Sequence, residues 1–269
     1  MRNPLRCALF PLLIAVASGQ ELADQVIPRV VLPNGNALMQ GVRDRLPDEP
    51  IHIQATLKTV KSVRFGPDKI SRVKAESLMD FGADIPHGSY IIYELDGVPI
   101  EKAEVQWVAG DTRFTYYAGA DLVPQTDFKP SQSLKSAPFT WHDLSLAFLW
   151  WPEATTVRQD SYMQVRKVWI VDLAAPPALQ AAYSGVRLKI DQVELLVHEV
   201  EVFDPKGEKI REIKMKGLQE LDGMYMFKDM AITSWPGAVK TSILVKNLVR
   251  GGAPIDEDIP SVTPVPLVP

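Results

Sequence analysis

From Ile51 onward the chain reads in steps of two, and this alternation limits its fold more than any other feature. Ile51, Ile53, Ala55 and Leu57 alternate with His52, Gln54, Thr56 and Lys58, the period of a half-buried strand. The same pattern predicts strands over 70–78, 89–95, 103–108 and 113–118. After an interruption it predicts them over 163–173, 186–191, 194–204, 210–216, 224–233 and 241–248. Turn chemistry separates the strands, with Gly66-Pro67-Asp68, Pro86-His87-Gly88, Gly110-Asp111 and Asp204-Pro205-Lys206-Gly207 as examples. Asp96-Gly97 is the best hairpin turn of the set. Tandem strands every ten to fifteen residues with few helices imply a mainly β protein, one large and strongly curved antiparallel sheet.

Two helices are expected beside the sheet. Asn34 can cap the first, with Leu38, Val42 and Leu46 on one stripe and Pro47 as its stop. Thr140-Trp141-His142-Asp143 has capping-box spacing and opens the second, which places Leu144, Phe148 and Trp151 on one side before Pro152.

Both ends of the chain differ from this pattern. Arg2 and Arg6 precede the apolar run Cys7–Ala17, and Ala17-Ser18-Gly19 is a small-residue cleavage site. Residues 1–19 are therefore expected to be a cleaved secretory signal peptide. The only cysteine, Cys7, lies inside the apolar run and away from the cut, so the mature chain is expected to be exported and not lipidated. Loss of Arg2 and Arg6 makes the mature chain more acidic than the formal charge of -4. That charge speaks against a nucleic-acid partner, which needs a basic footprint. Residues 250–269 carry five prolines and the Asp256-Glu257-Asp258 run and read as a disordered tail, leaving 20–249 as the folded domain.

Candidate chemistry is sparse. With no thiol in the mature chain, disulfides, thiolate nucleophiles and cysteine-held metals are excluded. No G-x-S-x-G, H-E-x-x-H, P-loop or G-x-G-x-x-G occurs, and His52, His87, His142 and His198 are scattered. His198 reads as a satisfied histidine with Leu196, Val200 and Val202 on its face and Glu199 and Glu201 on the other. No catalytic residue, metal or cofactor is assigned. The apolar faces are the remaining candidates. Met163, Val165, Trp169, Val171 and Leu173 share one, Val186, Leu188 and Ile190 another. Met224, Met226, Met230 and Ile232 form a methionine-rich face that Ile243 and Val245 extend. Such faces either fill a core or line a cavity that re-packs around apolar ligands.

Several segments resemble the LolA-like outer-membrane lipoprotein-sorting proteins. Phe139–Pro152 is similar to that family's "DL…FL-W" helix. Val168-Trp-Ile-Val-Asp-Leu and Tyr183-Ser-Gly-Val-Arg-Leu-Lys-Ile-Asp191 follow its pattern, with Lys189 where a tryptophan is usual. Leu195–Lys214 resembles its "ll-aE-yD-GK-iK" hairpin, and Gly223–Leu244 its ending, with Lys240-Thr241 for Arg-Thr. The match spans 139–248, and 51–138 follows by strand pattern alone. The resemblance implies a half-open barrel with helices over its concave side, in a periplasmic protein that shelters acyl chains of a lipid or lipoprotein. It implies an inner-membrane exporter or outer-membrane acceptor as partner. The cavity residues expected, taken from the apolar faces that periodicity defines, are Leu144, Phe148, Trp151, Trp169, Val171, Leu188, Ile190, Met224, Met226, Met230, Ile232, Ile243 and Val245. Either helix, 140–151 or 34–46, could serve as its lid. The alternative is a non-catalytic scaffold of the same fold with a filled core, acting through a protein partner. A periplasmic hydrolase is a third reading, to be revived by a His–acid pair in a cleft.

Overall fold

The computed structural model describes residues 31–64, 66–221 and 224–251; the expected signal peptide, and the tail from residue 252, lie outside them. Thirteen strands among the described residues pair antiparallel in one sheet. They are β1 (Ile51–Lys61), β2 (Lys69–Asp80), β3 (His87–Tyr93), β4 (Pro99–Gln106), β5 (Arg113–Ala118), β6 (Val123–Gln125), β7 (Ala154–Tyr162), β8 (Arg166–Ala174), β9 (Gly185–Asp191), β10 (Val197–Phe203), β11 (Lys209–Leu221), β12 (Met224–Ser234) and β13 (Val239–Arg250). The spatial order is β6-β5-β4-β3-β2-β1-β13-β12-β11-β10-β9-β8-β7. Two meanders are thus joined where the first strand meets the last, Ile51 opposite Arg250 and Leu57 opposite Ile243.

Alternation produces one buried face. Val171 and Leu173 of β8 stand opposite Leu188 and Val186 of β9, and Val200 and Val202 of β10 continue the row. All six are buried. The intervening residues carry the charges of the other face. Arg187 donates two hydrogen bonds to Asp172 at 2.7 and 2.8 Å, and Lys189 meets Glu199 at 2.7 Å.

The expected strand over 163–173 is divided between a turn and β8. Its first residues form the β7–β8 turn, where Met163 and Gln164 adopt φ of 50° and 62° and reverse the chain. Met163 and Val165 therefore project from the turn and are exposed, away from the face they were expected to share with Trp169. The expected helix over 140–151 is also divided. Thr140 caps α2 (Trp141–Leu144) in a full capping box with Asp143. The Ser145 hydroxyl then donates back to the Trp141 carbonyl at 2.7 Å, and Leu146 at φ 50° ends the helix before a 3₁₀ turn over Ala147–Trp150. The first helix, α1 (Gly35–Arg43), starts as expected, with the Asn34 side chain accepting from the Ala37 amide at 3.0 Å, but it ends at Arg43 and leaves Leu46 in the turn that follows.

The segment between β6 and β7 crosses the buried face and ties its two sides together. Trp150 stacks on Trp107, just beyond β4, with ring centroids 5.1 Å apart. Glu101 of β4 accepts from the Lys135 amide at 2.9 Å and the Tyr116 hydroxyl at 3.0 Å, and burial pushes its carboxyl up. On the opposite side, Arg211 Nε of β11 lies 2.7 Å from Asp143, a buried ion pair, and Ser234 of β12 donates to the Pro138 carbonyl. Breaking a pair of this kind costs about 3–5 kcal/mol. The crossing segment is therefore a fixed filling.

Candidate functional site

The crossing segment leaves part of the buried face uncovered, and the C-terminal end of α1 with the turn after it borders that part. Between them is a cavity of about 290 Å³. Its walls are the inward residues of the central strands: Ile51, Ile53 and Ala55 of β1, Ala75 and Met79 of β2, Tyr90 and Ile92 of β3, and Ile243 and Val245 of β13. The β1–β13 pairing sets Ala55 beside Val245 and Leu57 beside Ile243, which makes these walls one surface. Leu144, Leu146 and Leu149 form the floor, Val42 and Leu46 the cover, and Leu195 to Val197 a side wall. Polar groups occur chiefly at Arg45, Glu76, Lys228 and Asp229. Glu76 is engaged on the outer side, 2.6 Å from His52 Nε2 and accepting from the Tyr93 hydroxyl at 3.1 Å.

α1 approaches its neighbours closely because two glycines permit it. A Cβ on Gly35 would fall on the Ala154 carbonyl, and one on Gly41 would lie 2.8 Å from Leu195 Cδ1. Two polar ties complete its seat. Asn36 accepts from the Ala154 amide at 2.8 Å, and Arg43 donates to the Leu149 carbonyl at 2.8 Å. The helix is thus held by these ties and by Leu38, Met39 and Val42, which are buried in the hydrophobic core.

Of the residues expected in a cavity, Leu144, Met230, Ile243 and Val245 line this one. Phe148, Trp151, Val171, Leu188, Ile190 and Ile232 are buried in the filled core, and Trp169 packs against it half-buried. The side chains of Met224 and Met226 lie outside the described ones. The helix that contributes to the cover, expected over 34–46, is one of the two lid candidates of the sequence; the β1–β3 wall was not among the expected cavity residues, although the Ile51/Ile53/Ala55 alternation carries its signal. What alternation does not carry is that β1 pairs with β13.

The described residues include a buried His–acid pair. His198 Nε2 lies 3.4 Å from Asp191 Oδ2, and burial holds the imidazole below its ordinary value. Burial acts to raise the Asp191 carboxyl, but the Glu194 and Val193 amides, His198 and Arg166 together hold it down. Its oxygens are occupied by these donors, with both amides at 2.9 Å and Arg166 at 3.3 Å, and neither residue lines the cavity. The arrangement anchors the β9–β10 turn and offers no free base. Glu199, Glu201 and Glu212 also gather on the outer face, where Lys189, Lys209 and Lys214 pair with them.

No helix among the described residues is long and apolar enough to cross a membrane. Among curated proteins, none matches this chain. Solved structures of similar fold include a DUF1329 family protein from Desulfovibrio piger, with TM-score 0.69 and 13% identity over 80% of this chain and 91% of that one. An outer membrane lipoprotein-sorting protein domain from Vibrio parahaemolyticus gives 0.64 and 15% over 83% and 94%. A LolA superfamily protein from Nitrosomonas europaea gives 0.56 and 10% over 80% and 93%. At such identities the likeness concerns the fold, and it agrees with the half-barrel expected from the sequence. A family model described as an uncharacterized protein family matches residues 103–259, more than half of the chain, and the chain belongs to that family, built on a LolA-like fold.

Proposed function

We propose that this chain is a periplasmic binding protein that shelters an acyl chain of a lipid or lipoprotein under α1, in lipoprotein sorting or lipid transfer. The observation that supports this reading is the apolar cavity of about 290 Å³ between α1 and the sheet. Its size is near the lower end of ligand sites, about 300–1,000 Å³. Each methylene moved into it from water contributes about 0.8 kcal/mol, so a sixteen-carbon chain has a ceiling near ~12 kcal/mol. Ordering and lost translational freedom lower that figure, and a carrier needs this reduction in order to release its load. An inner-membrane donor or an outer-membrane acceptor is the partner such a carrier requires.

Native mass spectrometry of the exported chain, purified without detergent, tests the proposal. A discrete added mass that fragments to fatty acids is the expected result. An apo mass with no uptake of added phospholipid or lipopeptide overturns it. That result favours a scaffold acting through a protein partner, a reading supported by the filled core around Trp141, Phe148 and Trp151.

A further inference from the structure

The β7–β8 and β9–β10 turns lie side by side at one margin of the cavity. The Gln192 amide donates to the Lys167 carbonyl at 3.1 Å, Val168 pairs with Asp191, and Arg166 reaches Asp191. From these two turns Met163, Val165 and Val193 project 77%, 83% and 75% exposed. Single exposed apolar residues are ordinary, but here three stand at the tips of two neighbouring turns. The second turn continues into the cavity wall. Leu195 and Leu196 follow Val193 on the same turn and line the cavity. Beneath Met163, Tyr162 stacks on His198 at 4.7 Å, and His198 packs edge-on against Phe227, another lining residue, at 5.4 Å.

We propose that these turns are a bilayer-docking tip that dips Met163, Val165 and Val193 into the lipid interface and presents the cavity margin to the membrane. The proposal rests on the acyl-binding reading, since an acyl ligand is drawn from or delivered to a bilayer. Backbone chemistry favours lipid as the occupant. Asp191 accepts from the Val193 and Glu194 amides, the Val165 amide bonds to Tyr162, and the Gln192 amide to Lys167. Those turn amides are therefore satisfied internally, which entry into an apolar phase demands. The base of the tip is rigid, because Asp191 and His198 are buried and joined. Charge has a minor part. Arg166 is engaged with Asp191, and Lys167 and Glu194 offset one another, so docking depends on apolar burial with Lys167 reaching back to the headgroups.

The test is flotation of the exported chain with vesicles of phosphatidylethanolamine and phosphatidylglycerol, alongside uptake of soluble cis-parinaric acid. The wild type is expected to float, and to keep doing so at about 0.5 M salt, where exposed charges are screened. The variant Met163→Ser/Val165→Ser/Val193→Ser is expected to lose about tenfold or more of its vesicle binding. Its parinaric acid uptake and circular dichroism should match the wild type. Val165→Asp alone should act in the same direction, which guards against misfolding of the triple variant. Equal flotation of variants and wild type, or no flotation of the wild type, overturns the tip. Flotation through the tip without parinaric acid uptake sustains the tip and overturns the acyl-binding reading.

Discussion

Replacing His142 by phenylalanine removes a titration that the native state suppresses. His142 lies in the first turn of α2 and is 4% exposed. Its ring packs edge-on against Phe114 at 4.9 Å and Tyr183 at 6.2 Å. Neither ring nitrogen has a hydrogen-bond partner among the described residues. Burial lowers its pKa from 6.5 to about 4; the Asp143 charge opposes this shift and the Arg211 charge assists it. The folded chain therefore keeps His142 neutral at a pH where the unfolded chain protonates it. Below about pH 6.5 the unfolded state binds the extra proton, so stability falls as pH falls, and the loss is complete only below about pH 4. At 1.36 kcal/mol per unit, moving from about pH 7.5 to about pH 4.5 costs the wild type about 2–3 kcal/mol through this residue. Phenylalanine is similar in size and has no polar atom to leave unpaired. Guanidinium unfolding followed by tryptophan fluorescence at both pH values measures the difference. The wild type should lose about 2–3 kcal/mol more than His142→Phe between them. His198, also held low by burial, is common to both proteins and cancels in the comparison. Equal losses would refute the reasoning, because His142 would then titrate alike in both states.

Two further substitutions probe the cavity and its cover. Ala55→Phe places a ring between Ala75 and Val245, where β1 faces the cavity, and should weaken fatty-acid binding by about tenfold or more while circular dichroism stays native. Unchanged affinity by calorimetric titration would remove the cavity from consideration. Gly35→Ala drives a methyl into the Ala154 backbone, so α1 must shift, at about 1–3 kcal/mol and with faster proteolysis at α1. Gly41→Ala meets only the rotatable end of Leu195 and should cost less than half as much. Equal sensitivity of the two variants to protease would refute the seating described for the cover.

The strands that alternation revealed are those with a sheet neighbour on both sides. Every strand from β1 to β5 and from β8 to β13 has a counterpart in the sequence pattern. The two without one, β6 and β7, are the two edges. β6 contains Pro124, tolerable only where an amide needs no ladder partner, and β7 reads Ala-Thr-Thr-Val-Arg-Gln-Asp-Ser-Tyr, polar because one margin faces solvent. At Met163 and Val165 the period continued by chance through a turn, where positive φ breaks the chain direction without a glycine to signal it. The candidate site was legible in part for a similar reason. Met230, Ile243 and Val245 declare an inward face by parity, but parity does not distinguish a face that is filled from one left open. That distinction depends on where the crossing segment lies, which Leu146 at φ 50° and the Asp143–Arg211 pair decide.

The meeting of β1 with β13 also governs the order in which the molecule can be completed. Gln54 and Asn247, hydrogen-bonded at 3.0 Å, are 193 residues apart in the chain. Pairings this distant form late, since a long loop must close before any contact offsets its entropy. During synthesis the first meander emerges with the full length of β1 exposed as a bare ladder edge, and its partner is the last strand made. Until β13 arrives, that edge is open to any extended segment nearby. The nascent protein therefore has its greatest need of a chaperone at the strand that later forms the wall of the cavity.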